Sequence, residues 1–259
     1  MVVPFGREIA RICGSDAHNN CTKTRGSVAL CETSKIESNN TVDTAIGEIA
    51  LQLRDTLEST NRAREQVLRL SREIIQFSSR AIRAVHRSET AAAIDLTLEA
   101  HNRVEAVRAA ALDHPEVFYT GYVHDSQKEY VEAETMLAIT SGGRIPSHTE
   151  LDVEPAAYLN GIAEAASESR RYVLDKLRLG DMAAAEAVLK VMDDIYYELI
   201  GIDFPDAITG GLRRTTDSLR AVLERTRGDL TLTLANRRLE LALENAAVRT
   251  HSDENKTTS

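Results

Sequence analysis

From Ile46 to Ala84 the chain repeats small and apolar residues at alternating steps of three and four: Ile46, Ile49, Leu53, Thr56, Thr60, Ala63, Val67, Leu70, Ile74, Phe77, Ala81 and Ala84. A strand cannot use that spacing, so the series predicts one long helix with a continuous packing seam. Asn40 or Thr41 suits its cap, and Ser88 suits both its end and the cap of the next helix. Leu68, Ile75 and Ile82 form a second apolar row on the same helix. Two faces to bury predict self-association into a homo-oligomer.

All five prolines fall between periodic stretches, where a helix has to stop or start. The expected helices run from about 89 to 112, 115 to 140, 155 to 179, 182 to 200, 206 to 227 and 229 to 248, which makes about seven with the first. Gly180 suits a helix end and Asp181 the following N-cap. No run of alternating β-branched residues occurs, and aromatics are only 4% of the chain. The fold class expected is therefore all-α, a helical bundle over residues 41–249. Residues 1–40, rich in Ser, Thr, Asn and Gly, read as a disordered extension and 250–259 as a polar tail.

A net charge of -9 argues against coating duplex DNA by overall charge, though a local basic stripe can still bind phosphates. Cys13, Cys21 and Cys31 lack the spacing of a zinc site. No apolar run is long enough to cross a bilayer, and a reduced, cytoplasmic setting is expected.

On the first helix Arg62, Arg69, Arg72, Arg80, Arg83 and Arg87 fall within an arc of about 80° at 100° per residue. Glu65 and Glu73 interrupt the stripe. It suits either nucleic-acid phosphates or a solvated face with local ion pairs.

Acidic pairs are the second candidate. Glu129 and Glu132 share one face of the helix after Pro115, where Phe118, Tyr119, Tyr122, Val123, Tyr130, Ala133, Met136 and Leu137 form the apolar arc. Glu129 lies inside that arc and Glu132 at its edge, where a carboxylate needs an arginine, a proton or a metal ion to compensate it. Glu164 and Glu168 lie opposite the arc of Leu159, Ile162, Ala166, Val173 and Leu177, which reads as a solvated face. Only if that face turns toward Glu129 and Glu132 do four carboxylates converge, and such an oxygen-rich set suits Mg²⁺ or Mn²⁺. The seven histidines are scattered, and no phosphate-binding loop or nucleophile elbow is present.

Arg72–Arg87 (REIIQFSSRAIRAVHR), Glu129–Ala133 (EYVEA), Leu151–Arg171 and Asp203–Asp206 ahead of Gly211–Arg214 resemble the translin family. The resemblance spans about residues 45 to 235. It implies a seven-helix bundle assembling into oligomeric, often octameric, shells around nucleic acid. Glu129 and Glu132 resemble the branch of translin-associated factor X, whereas translin lacks the first glutamate. That likeness implies a Mg²⁺- or Mn²⁺-dependent endoribonuclease acting on single-stranded RNA. Glu129, Glu132, Glu164 and Glu168 would be its metal-binding and catalytic residues. The six arginines, with Arg213 and Arg214, would contact RNA or single-stranded DNA. Glu164 stands where the branch usually has aspartate. No histidine belongs to the motif, so proton transfer would fall to metal-bound water or a glutamate. The alternative is a noncatalytic, translin-like binder of single-stranded RNA or DNA.

Overall fold

The computed structural model describes the backbone from Asn39 to Thr257 and side chains from Ala45 to Ala247. Residues 1–38 of the expected extension, and with them Cys13, Cys21 and Cys31, lie outside the described residues, whereas residues 39 and 40 already belong to the first helix. The chain divides into a unit ending at Ile49, described only as the start of the first helix, and a unit from Ala50 onward that carries everything below.

Among the described residues there are eight helices and no strands: α1 (Asn39–His86), α2 (Thr90–Ala110), α3 (Pro115–Phe118), α4 (Gly121–Ser141), α5 (Pro155–Arg178), α6 (Met182–Ile200), α7 (Asp206–Thr209) and α8 (Leu212–Thr257). The all-α expectation holds, but three boundaries differ. The helix opened by Pro115 breaks at Tyr119–Thr120, which leaves Tyr119 73% exposed instead of in the apolar arc. Gly228 does not interrupt α8, whose contacts with α5 and α6 hold the helix through it. The break comes earlier, at Gly210 and Gly211, both with φ positive, a region closed to most side chains. The helix then continues to Thr257, through most of the expected tail.

The first helix also begins differently, and Ser88 ends it, as expected, without capping the next. It starts at Asn39, ahead of the expected caps. Ser88 caps no helix: it sits at φ 60, with Ser88 N–H donating to Val85 O and Glu89 N–H to Ala84 O. That pair of bonds closes the end of α1 as a Schellman turn. Gly180 and Asp181 match expectation, and the Asp181 carboxylate accepts from Ala184 N–H at 3.1 Å.

Three apolar clusters hold the bundle. Val67, Leu70 and Ile74 of α1 pack with Ala100, Val104 and Val107 of α2 and with Tyr130 and Val131 of α4. Ala166 and Val173 of α5 pack with Leu189, Met192 and Ile195 of α6 and Leu219 and Leu223 of α8. Ala84, Met136 and Ala165 join α1, α4 and α5. From Ala63 onward the seam of α1 is buried except for the half-buried Phe77, whereas Leu53 in the seam and Leu57 one turn on are 58% and 68% exposed. Ile46 and Ile49 are exposed too. Within the unit from Ala50 onward the seam is therefore open at Leu53, and Thr60 is its first residue to reach another segment, through His114 at 3.3 Å.

Candidate metal centre and basic stripe

α5 is buried on more than one side, and that decides where its acids point. Ala157, Gly161 and Ala165, spaced four apart, lie on the same side of α5 as Glu164 and Glu168, and all three are buried. A Cβ on Gly161 would lie 2.7 Å from both Lys128 O and Val131 Cβ, so the backbones of α4 and α5 touch there. The face read as solvated from its apolar arc is therefore turned onto α4. The signal for this was the run of small residues beside the acids, not the hydrophobic arc.

The contact brings Glu129, Glu132 and Glu164 together, each offering a carboxylate oxygen within 4.8 Å of the others. The extra methylene of Glu164, relative to aspartate, does not carry it out of reach. Burial, followed by the charges of Glu129, Glu164 and Glu168, pushes the Glu132 carboxyl up to about 8. Burial and then Glu164 push Glu129 up as well. Neither forms an ion pair among the described residues. These are the marks of a site short of positive charge.

Two residues that the motifs did not single out complete the centre. Lys128 Nζ lies 2.9 Å from Glu164 Oε1. Burial opposes its charge, but the hydrogen bond and the charges of Glu164, Asp125 and Glu129 outweigh that and raise its pKa. Glu168 stands outside the group of three. Its Oε1 is 2.6 Å from Nε2 of His86, the last residue of α1. With a sequence separation of 82, no local pattern could reveal that pair. The three-carboxylate donor set is hard and anionic, and a single lysine leaves it undercompensated, so it fits Mg²⁺ or Mn²⁺.

All eight arginines of the two basic sets are exposed. Arg69 pairs with Glu73 and Arg87 with Glu89, both at 2.7 Å, while Glu65 turns to Arg64. Arg62, Arg72, Arg80 and Arg83 make no ion pair among the described residues. The stripe ends beside the acids, since Arg83 is one turn from His86 and Arg87 adjacent to it. Arg213 and Arg214 lie in the first turn of α8 and make no ion pair with the four glutamates.

Fold and site together define an all-helical protein with an acidic centre gathered between two closely packed helices. No family model matches the chain. It is 36% identical to AfC3PO in a structure of its duplex RNA complex, with a TM-score of 0.68, covering 73% of this chain and 97% of that one. A crystal structure of AfC3PO matches at 35% identity and a TM-score of 0.69, covering 73% and 98%. An uncharacterised protein of Methanocaldococcus jannaschii is 32% identical over 185 residues, 71% of this chain and 82% of the relative. The apo-NeC3PO crystal structure shares the fold at 21% identity, a TM-score of 0.64 and coverage of 70% and 95%. The chain belongs to the translin family.

Proposed function

We propose that the chain is an RNA-binding, divalent-metal-dependent endoribonuclease, nearer to translin-associated factor X than to translin. The observation that carries this reading is the meeting of Glu129, Glu132 and Glu164, with Glu132 driven to about 8 by burial and unbalanced charge. Glu129 is the residue that translin lacks in the sequence resemblance. Glu129, Glu132 and Glu164 would hold Mg²⁺ or Mn²⁺, with Glu168 at the margin. When bound, the ion would supply Lewis acidity for phosphodiester hydrolysis and for activating water.

The unpaired Arg72, Arg80 and Arg83 would hold the RNA backbone, with little base readout. Arg213 and Arg214 would form a second basic patch. AfC3PO has been solved with duplex RNA, which adds duplex RNA to the proposed single-stranded RNA and single-stranded DNA as a ligand to test. The exposed Leu53 and Leu57 support assembly into a homo-oligomer, with the octamer as the expected form. No helix among the described residues is long and apolar enough to cross a membrane, and we place the protein in the cytoplasm.

Incubating purified protein with end-labelled single-stranded and duplex RNA, with Mg²⁺ or chelator, tests the reading. Internal cleavage that chelator abolishes is expected. Binding without cleavage in Mg²⁺ and in Mn²⁺ would instead establish the translin-like binder. That second reading rests on one specific observation, the Lys128 ammonium already seated on Glu164.

A further inference from the structure

His86, beside the acidic centre, has only 2% of its side chain exposed. Its Nε2 meets Glu168 Oε1 at 2.6 Å, and its Nδ1 is buried with no hydrogen-bond partner. A ring carrying its proton on Nε2 donates to the carboxylate and leaves no buried N–H unpaired, so the geometry selects that tautomer.

For stability alone this is a poor choice. An unpaired buried nitrogen costs free energy that a leucine or phenylalanine at this position would not. What an apolar residue cannot do is orient Glu168. That side chain is 37% exposed, has three rotatable bonds and makes no other ion pair among the described residues. It is four residues from Glu164 and close enough to Glu132 for its charge to raise that carboxyl.

We propose that His86 is a positioning residue for the acidic centre: its Nε2–H, reaching from the end of α1, holds one oxygen of Glu168 and leaves the other available to a divalent cation shared with Glu129, Glu132 and Glu164. The inference rests on the metal-site reading above and adds to it a partner outside the ligand set. Hydrogen bonds from outside a coordination sphere to its ligands typically change metal affinity by about 10–100-fold. The same contact couples the last turn of the arginine stripe to the acids, so one helix carries both the backbone-binding surface and the support of the centre.

The test is Mn²⁺ affinity of the full chain, read from the free-ion electron paramagnetic resonance signal, for the parent, His86→Leu, His86→Gln and Glu129→Gln. The Gln amide nitrogen can take the place of Nε2, so H86Q retains the donor and H86L removes it. Weakening by about 10–100-fold in H86L, with H86Q within a few-fold of the parent, is expected. Should H86L not fold, H86Q and the ¹⁵N spectrum of the parent's histidines decide: Nε2–H with near-parental H86Q affinity supports the inference. An Nδ1–H tautomer, parental affinity in H86L, or H86Q as weak as a folded H86L overturns it. Glu129→Gln separates the two readings. If it weakens Mn²⁺ binding and H86L does not, only the positioning role falls, whereas parental binding in E129Q removes the metal site and this inference with it.

Discussion

A Cβ added to Gly161 would lie 2.7 Å from Cβ of Val131, closer than two side-chain carbons can rest. That contact sets the spacing of α4 and α5 one turn before Glu164. Gly161→Ala should therefore destabilise the protein by about 1–3 kcal/mol through overpacking. It should also weaken divalent-cation binding, because the two helices must separate at the centre. Urea denaturation and Mn²⁺ titration check both; an Ala variant with parental stability would mean the helices part without cost.

Glu129→Gln keeps the shape of the side chain and removes its charge. Cleavage should fall by about two orders of magnitude or more while RNA binding and helicity persist. Because Glu129 forms no ion pair and burial already disfavours its charge, the chelated variant should be as stable as the parent or more so. Breaking a buried salt bridge would instead cost about 3–5 kcal/mol. Rate assays and melting in chelator distinguish the outcomes, and a markedly earlier melt would make Glu129 structural.

The Glu132 carboxyl titrates near 8 in the fold against 4.5 ordinarily, so the folded chain holds this proton more tightly than the unfolded one. The stability it contributes is full below about 4.5 and is lost as pH rises through 8. In chelator the melting temperature should decline across that window, and Glu132→Gln should flatten the decline. Mg²⁺ should restore stability at the alkaline end, where it no longer competes with the proton. Thermal scans at graded pH, with and without Mg²⁺, read the effect; a parental decline surviving in the Gln variant would assign it elsewhere.

Replacing Arg72, Arg80 and Arg83 by glutamine should weaken RNA binding and flatten its salt dependence. Each lost phosphate contact on a single strand removes about 0.7 from the slope, so all three remove about 2. Binding isotherms at several salt concentrations measure it. An unchanged slope would reduce the stripe to a solvated helix face.

The helical class, the stripe on α1 and the placement of Glu129 and Glu132 on a largely buried helix were legible in the chain because each is a property of local periodicity. At 100° per residue, side chains three, four or seven apart share a face whatever the helix packs against. Boundaries were less legible. Gly228 was read as a stop, yet packing carries α8 through it, and Pro115 opened only one turn before the chain broke at Tyr119–Thr120.

By itself, then, the sequence determined which residues lie on common helix faces and which of those faces carry charge. Only the tertiary structure decided which faces meet. Glu164 and Glu168 read as solvated until Ala157, Gly161 and Ala165 let α5 press that side onto α4. His86 reached Glu168 because the end of α1 packs beside α5, 82 residues away along the chain. Contacts across such separations depend on how several helices fill one volume, and no window of sequence a few turns long contains that information.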